Sequence, residues 1–145
     1  MFAKTLGVAA GVEEIVVSLF DAFNRRDLDG ALLLLDPEIV FEPVTRVLLN
    51  DGEPYRGHEG MRRYFEDVQR HWSELRVNPV QVRSAGAAVV ALGQTTGRAA
   101  GSLTGAPTTW VFKFKDGLVA RIQVFSDERL ARQALGVQNQ PIEAD

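Results

Sequence analysis

Cysteine is missing from all 145 residues, which excludes a disulfide framework and any thiolate metal site. Histidine is nearly missing: His58 and His71 are the only two imidazoles, too few for a dedicated zinc site, so no metal is expected. No run approaches the roughly 20 apolar residues of a membrane-spanning helix. Met1–Ala10 has one lysine and a short apolar run, a poor match to a secretory signal. Charge of a single sign is lacking as well. The 16 basic residues are dispersed among 19 acidic ones for a net charge of −3, which leaves no footprint for nucleic acid or an anionic membrane. Neither the Gly-x-Gly-x-x-Gly pattern nor a P-loop occurs, so no nucleotide, flavin or other cofactor is expected. A cytoplasmic location is expected by default.

What the chain does have is an ordinary apolar complement. It is 46% hydrophobic and 24% charged, the composition of a domain that buries a core, and its length suits one domain. Residues 11–136 are read as that domain, between flexible ends at 1–10 and 137–145. Val12, Ile15, Val16, Leu19, Phe20 and Phe23 fall at i, i+3, i+4, i+7, i+8 and i+11, the stripe of an amphipathic helix. Asp27 or Asp29 caps a short second helix over Ala31–Leu35. Ile39–Val44 reads as a strand that Pro43 puts at an edge or bulge. Met61, Tyr64, Phe65, Val68 and Trp72 repeat the helical stripe.

From Leu75 the period changes to two. Val77, Val80 and Val82 lead to a turn at Ser84-Ala85-Gly86, and Ala88–Thr96 follows as a strand. Thr109–Lys115, Asp116-Gly117 and Leu118–Phe125 form a hairpin, because Asp-Gly tolerates the positive φ angles of a two-residue turn. Asp127–Leu135 reads as a short closing helix. Three helices against a mostly antiparallel sheet make an α+β domain. On β-period spacing, Trp110, Phe112 and Phe114 share the inner face while Val111, Lys113 and Lys115 take the other.

Several stretches together resemble the SnoaL-like branch of the nuclear transport factor 2-like superfamily. They are Asn24–Asp29, Asp36–Phe41, Arg56–Met61, Phe112–Val119 and Asp127–Leu130. The resemblance implies a cystatin-like α+β cone, a curled sheet wrapped on three N-terminal helices, with an apolar pocket between them. It does not choose an activity, because this fold hosts isomerases, cyclases, hydrolases, dehydratases and binders.

Two carboxylates stand where relatives keep acid/base groups. Glu42 precedes Pro43, as the general base of ketosteroid isomerases precedes a proline. There it would be desolvated and tuned for proton transfer, or would face water from an edge strand. Asp127 ends the last strand, where SnoaL-like cyclases hold an acid/base Asp, although Asp also caps helices well. The resemblance puts Leu19 or Phe20 and Trp110 at the isomerases' oxyanion-hole positions, which disfavours that mechanism. It puts Thr95 and Gly97 where epoxide hydrolases of this fold keep Arg and Asp, which disfavours theirs too.

The expected pocket lining is Phe20, Phe23, Tyr55, Met61, Tyr64, Phe65, Trp110 and Phe112. The expected partner is a small hydrophobic molecule. Three functions stay open: an acid/base enzyme of isomerase, cyclase or dehydratase type acting on a small apolar carbonyl compound, a non-catalytic binder, or a dimerisation scaffold with a vestigial pocket. The resemblance also implies a homodimer through the outer sheet face, at Val111, Arg121, Gln123 and Phe125.

Overall fold

The computed structural model describes residues 11–43, 50–99, 102–126, 129 and 131. The terminal segments expected to be flexible, Asp127 and most of the expected closing helix lie outside them.

Helix α1, Val12–Asn24, buries Val16, Leu19 and Phe20, the middle of the stripe read from its spacing, and Ala22 beside it. Its start is held by Glu14, whose Oε1 accepts from the Gly11 amide at 3.0 Å. Its end turns at Arg26, a non-glycine residue in the left-handed region at φ 58°. The Arg26 guanidinium anchors that reversal by donating to the carbonyls of Phe23 and Leu75.

Helix α2 is Leu28–Leu32, earlier than expected. Asp27 is its cap and accepts from the Gly30 amide at 3.0 Å. Leu33 and Leu34, which would have extended it, form a turn, and Leu35 opens strand β1, Leu35–Glu42, where Asp36, as the residue before a proline, is steered away from the helical region. After a 3-10 turn at Asn50–Gly52 come a two-residue strand β2, Tyr55–Arg56, and helix α3, Gly57–His71. Strands β3 (Glu74–Ala85), β4 (Ala88–Ala99), β5 (Ser102–Lys115) and β6 (Leu118–Phe125) complete the order.

The six strands form one curled, unclosed sheet in the order β2-β1-β6-β5-β4-β3. Only β1 and β6 run parallel; every other pair is antiparallel. The fold is therefore the expected α+β one. The Asp-Gly hairpin forms with φ of 53° at Asp116 and 83° at Gly117, as a primed turn requires. Gly97 and Gly105 stay in the sheet, with β4 and β5 paired from Ala88↔Lys113 to Ala99↔Ser102.

The helices cover the concave face, and the main core lies between. The convex face carries a second, smaller cluster of Ala88, Val90, Val111 and Ala131. Val111, expected to face a partner subunit, is thus fully buried within its own chain. Among the described residues no helix is long and apolar enough to cross a membrane.

Candidate functional site

The concave face closes over an apolar cavity of about 100 Å³. Helix α1 lends Leu19, Phe20 and Phe23, and α3 lends Met61, Tyr64 and Phe65. The sheet supplies Phe41, Leu75, Val77, Thr95, Trp110, Phe112, Ile122 and Val124, with Ala31 and Pro43 completing the wall. Edge-to-face contacts hold the rings apart rather than collapsed. Phe20 meets Trp110 at 4.8 Å and Phe112 at 5.6 Å, and Phe41 meets Tyr64 at 4.6 Å. Such pairs each add roughly 0.5–1.5 kcal/mol beyond area burial.

Phe20, Phe23, Met61, Tyr64, Phe65, Trp110 and Phe112 therefore meet around one space, as their spacing on two helices and one strand implies. Tyr55 does not reach it. Its side chain is fully buried behind Tyr64, and its hydroxyl donates to Asp67 Oδ2 at 2.7 Å. Burial, reinforced by that bond, pushes the Tyr55 phenol well above the ordinary tyrosine value. Tyr55→Phe should cost about 1–2 kcal/mol in urea unfolding, because Asp67 is left short of a buried donor. Binding in the cavity should be unchanged.

Glu42 is not in the lining either. Ile39 and Phe41 point to the core, so strand alternation sends Glu42 to the opposite face. There its Oε2 accepts from the Arg121 guanidinium. The carboxylate thus pairs with a cation on the convex side and does not line the apolar cavity. Arg121 is 45% exposed but the Glu42 side chain only 18%, so Glu42→Gln should cost about 1–2 kcal/mol in urea unfolding, more than a fully exposed pair. Ligand affinity measured by titration should stay within about twofold. Asp127 lies outside the described residues.

His58 and His71 bond main-chain oxygens, with Nε2 on the Leu35 carbonyl at 3.0 Å and Nδ1 on that of Asp67 at 3.2 Å. Gln94 and Arg98 face outward, and Thr95 between them faces in. Among the described residues no cluster of His, Asp or Glu fits a metal ion.

The polar groups of the cavity are therefore few. Thr108 Oγ1 donates to the Ala106 carbonyl at 3.1 Å, so its 2.9 Å contact with Thr95 Oγ1 takes the Thr95 proton. That leaves Thr95 with lone pairs to offer. The Tyr64 hydroxyl and Trp110 indole N–H have no hydrogen-bond partner among the described residues. The inward residues that spacing alone did not single out, Phe41, Thr95, Ile122 and Val124, belong to strands whose register only the folded sheet reveals.

A family model described as a SnoaL-like domain matches residues 16–122. The solved structures that resemble this one include an NTF2-like protein of unknown function from Burkholderia pseudomallei. It is 23% identical, with 88% of this chain and 96% of that one covered and a TM-score of 0.71. TerC, co-crystallised with polyporic acid, is 21% identical over 84% of this chain and 95% of its own, with a TM-score of 0.71. A candidate polyketide cyclase from Xanthomonas campestris is 20% identical over 85% and 93%, with a TM-score of 0.65. Among curated proteins none matches. At these identities the structures speak to the fold, while the family match covers most of the sequence. The chain belongs to the SnoaL-like domain family.

Proposed function

We propose that this SnoaL-like protein binds a small, mainly apolar molecule in the cavity between α1, α3 and the concave sheet. The supporting observation is the cavity itself: its walls are aromatic and aliphatic, and among the described residues no carboxylate or imidazole reaches it. Such a site holds its occupant by burial, at roughly 25 cal/mol for each Å² of apolar surface removed from water. The available space is somewhat smaller than the ~150 Å³ apolar cavity known to take benzene. The occupant is then a single small ring, or the buried end of a longer molecule.

Titration followed at the indole N–H signals tests this reading. The sequence has two tryptophans, and Trp110→Phe assigns them. Toluene at millimolar concentration should move the Trp110 signal saturably and raise the melting temperature. Absence of any saturable shift would reject the cavity as a binding site.

A second reading, proton transfer on a bound carbonyl compound, draws on the likeness to candidate polyketide cyclases. With Glu42 facing Arg121, Asp127 would have to carry it. Under this reading Asp127→Asn abolishes turnover and spares binding.

We also place self-association on the convex sheet face, where Arg121, Gln123 and Phe125 alternate with core residues and Leu103 is 64% exposed. Sedimentation at micromolar concentration should then give twice the chain mass, and a monomer would rule the pairing out.

A further inference from the structure

We propose that the Tyr64 hydroxyl is the recognition group of the cavity, selecting a small ring that carries an acceptor oxygen of the ketone kind over a plain hydrocarbon. The inference rests on the reading of the cavity as a binding site and adds the chemistry of its occupant.

A buried hydroxyl without a partner loses its water bonds and regains nothing, so almost all buried polar groups are paired. Among the described residues the only side-chain oxygen or nitrogen both sealed from solvent and without a partner is Gln123 Oε1. Among the described residues the Tyr64 hydroxyl has no partner, and the residue is only 6% exposed. Its remaining surface belongs to a side chain that lines the cavity. The contrast with Tyr55 is direct: that phenol, next to it, is satisfied by Asp67.

The surroundings favour donation by Tyr64. Burial pushes its phenol well above the ordinary value, and the nearby Arg26 charge works the other way, so the hydroxyl keeps its proton with a cation in its neighbourhood. The Arg26 guanidinium is fixed 4.4 Å over the Phe23 ring, and Phe23 stacks on Tyr64 at 6.0 Å. A positive charge there strengthens an O–H donor and attracts the partial negative charge of a carbonyl oxygen. The Trp110 indole adds a second group that can only donate. Among the described lining side chains Thr95 Oγ1 offers only lone pairs, while Tyr64 and Trp110 both have a proton to give, so an acceptor on the occupant is matched twice.

The test compares two isosteres, cyclohexanone and methylenecyclohexane, with wild type and Tyr64→Phe. Tyr64→Phe should weaken cyclohexanone by about tenfold and leave methylenecyclohexane within about twofold, as removal of one buried hydrogen bond does. A readout without mutation comes from Cζ-labelled tyrosine. Of the two tyrosines, only the Tyr64 signal should move with the ketone, and it should move less with the alkene. Unchanged ketone affinity in the variant, or equal Cζ shifts with both compounds, overturns the role of Tyr64 and leaves the cavity reading intact. If neither compound binds wild type, both fall together.

Discussion

Trp110→Ala is expected to lower stability by about 3–5 kcal/mol in urea unfolding, the range for deleting a buried large ring. The ring is 4% exposed and lies edge-on to Phe20 on the inner face of β5. Strand alternation places Trp110 and Phe112 on that face, so the indole cannot swing to water without breaking the pairing to β4 and β6. The vacated volume adds to a cavity of about 100 Å³, so the variant should accept larger apolar probes than wild type. In the folded wild type, iodide should quench Trp110 poorly. A variant as stable as wild type, or a fully quenchable Trp110, would show that this ring does not wall the cavity.

Gly93→Ala is expected to be nearly as damaging, at roughly 3 kcal/mol, for a different reason. A Cβ on Gly93 would stand 2.1 Å from the Asn78 carbonyl oxygen and 2.7 Å from the Pro79 Cα. Both are backbone atoms of the neighbouring strand, so relief requires β3 and β4 to separate. Gly105→Ala is the control, since its nearest atom would be a Thr96 methyl at an ordinary 3.5 Å. That substitution should leave stability within about 1 kcal/mol. Equal unfolding midpoints for the two variants would mean that β3 and β4 part at Gly93 without cost.

The same crossing shows what could be read from residues alone. Val77, Val80 and Val82 cannot all face one side of a regular strand, because Val77 and Val82 are an odd number of positions apart. The register shift between Pro79 and Gln81 resolves it. The extra residue puts Val77 and Val82 against the core and leaves Val80 80% exposed. Pro79, which cannot donate to the ladder, and Gly93 opposite it were the available signals. Val119 and Ile122 repeat the pattern, both buried at odd spacing with a shift beside them.

The aromatic lining was legible because helical spacing put Phe20, Phe23, Tyr64 and Phe65 on core stripes, while period two put Trp110 and Phe112 inside. Tyr55 was not, since a two-residue strand has too little period to show its direction. Glu42 was legible only in part. Its place before Pro43 matched a pattern from relatives, yet the parity set by Ile39 and Phe41 decides its face, and Arg121 occupies that side through a parallel pairing no local pattern announces. Thr95 was hidden for a similar reason. Gln94 and Arg98 are the large polar side chains of β4, whereas the inner parity runs through Val89, Ala91 and Thr95.

Where a bound molecule sits tests the central claim most directly. Intermolecular nuclear Overhauser effects from saturating toluene should connect its methyl protons to the rings of Phe20, Trp110 and Phe112, inside the cavity. Contacts confined to Val80 and Leu103 on the outside of the sheet, or no saturable binding at all, would contradict the assignment of this cavity as the functional site.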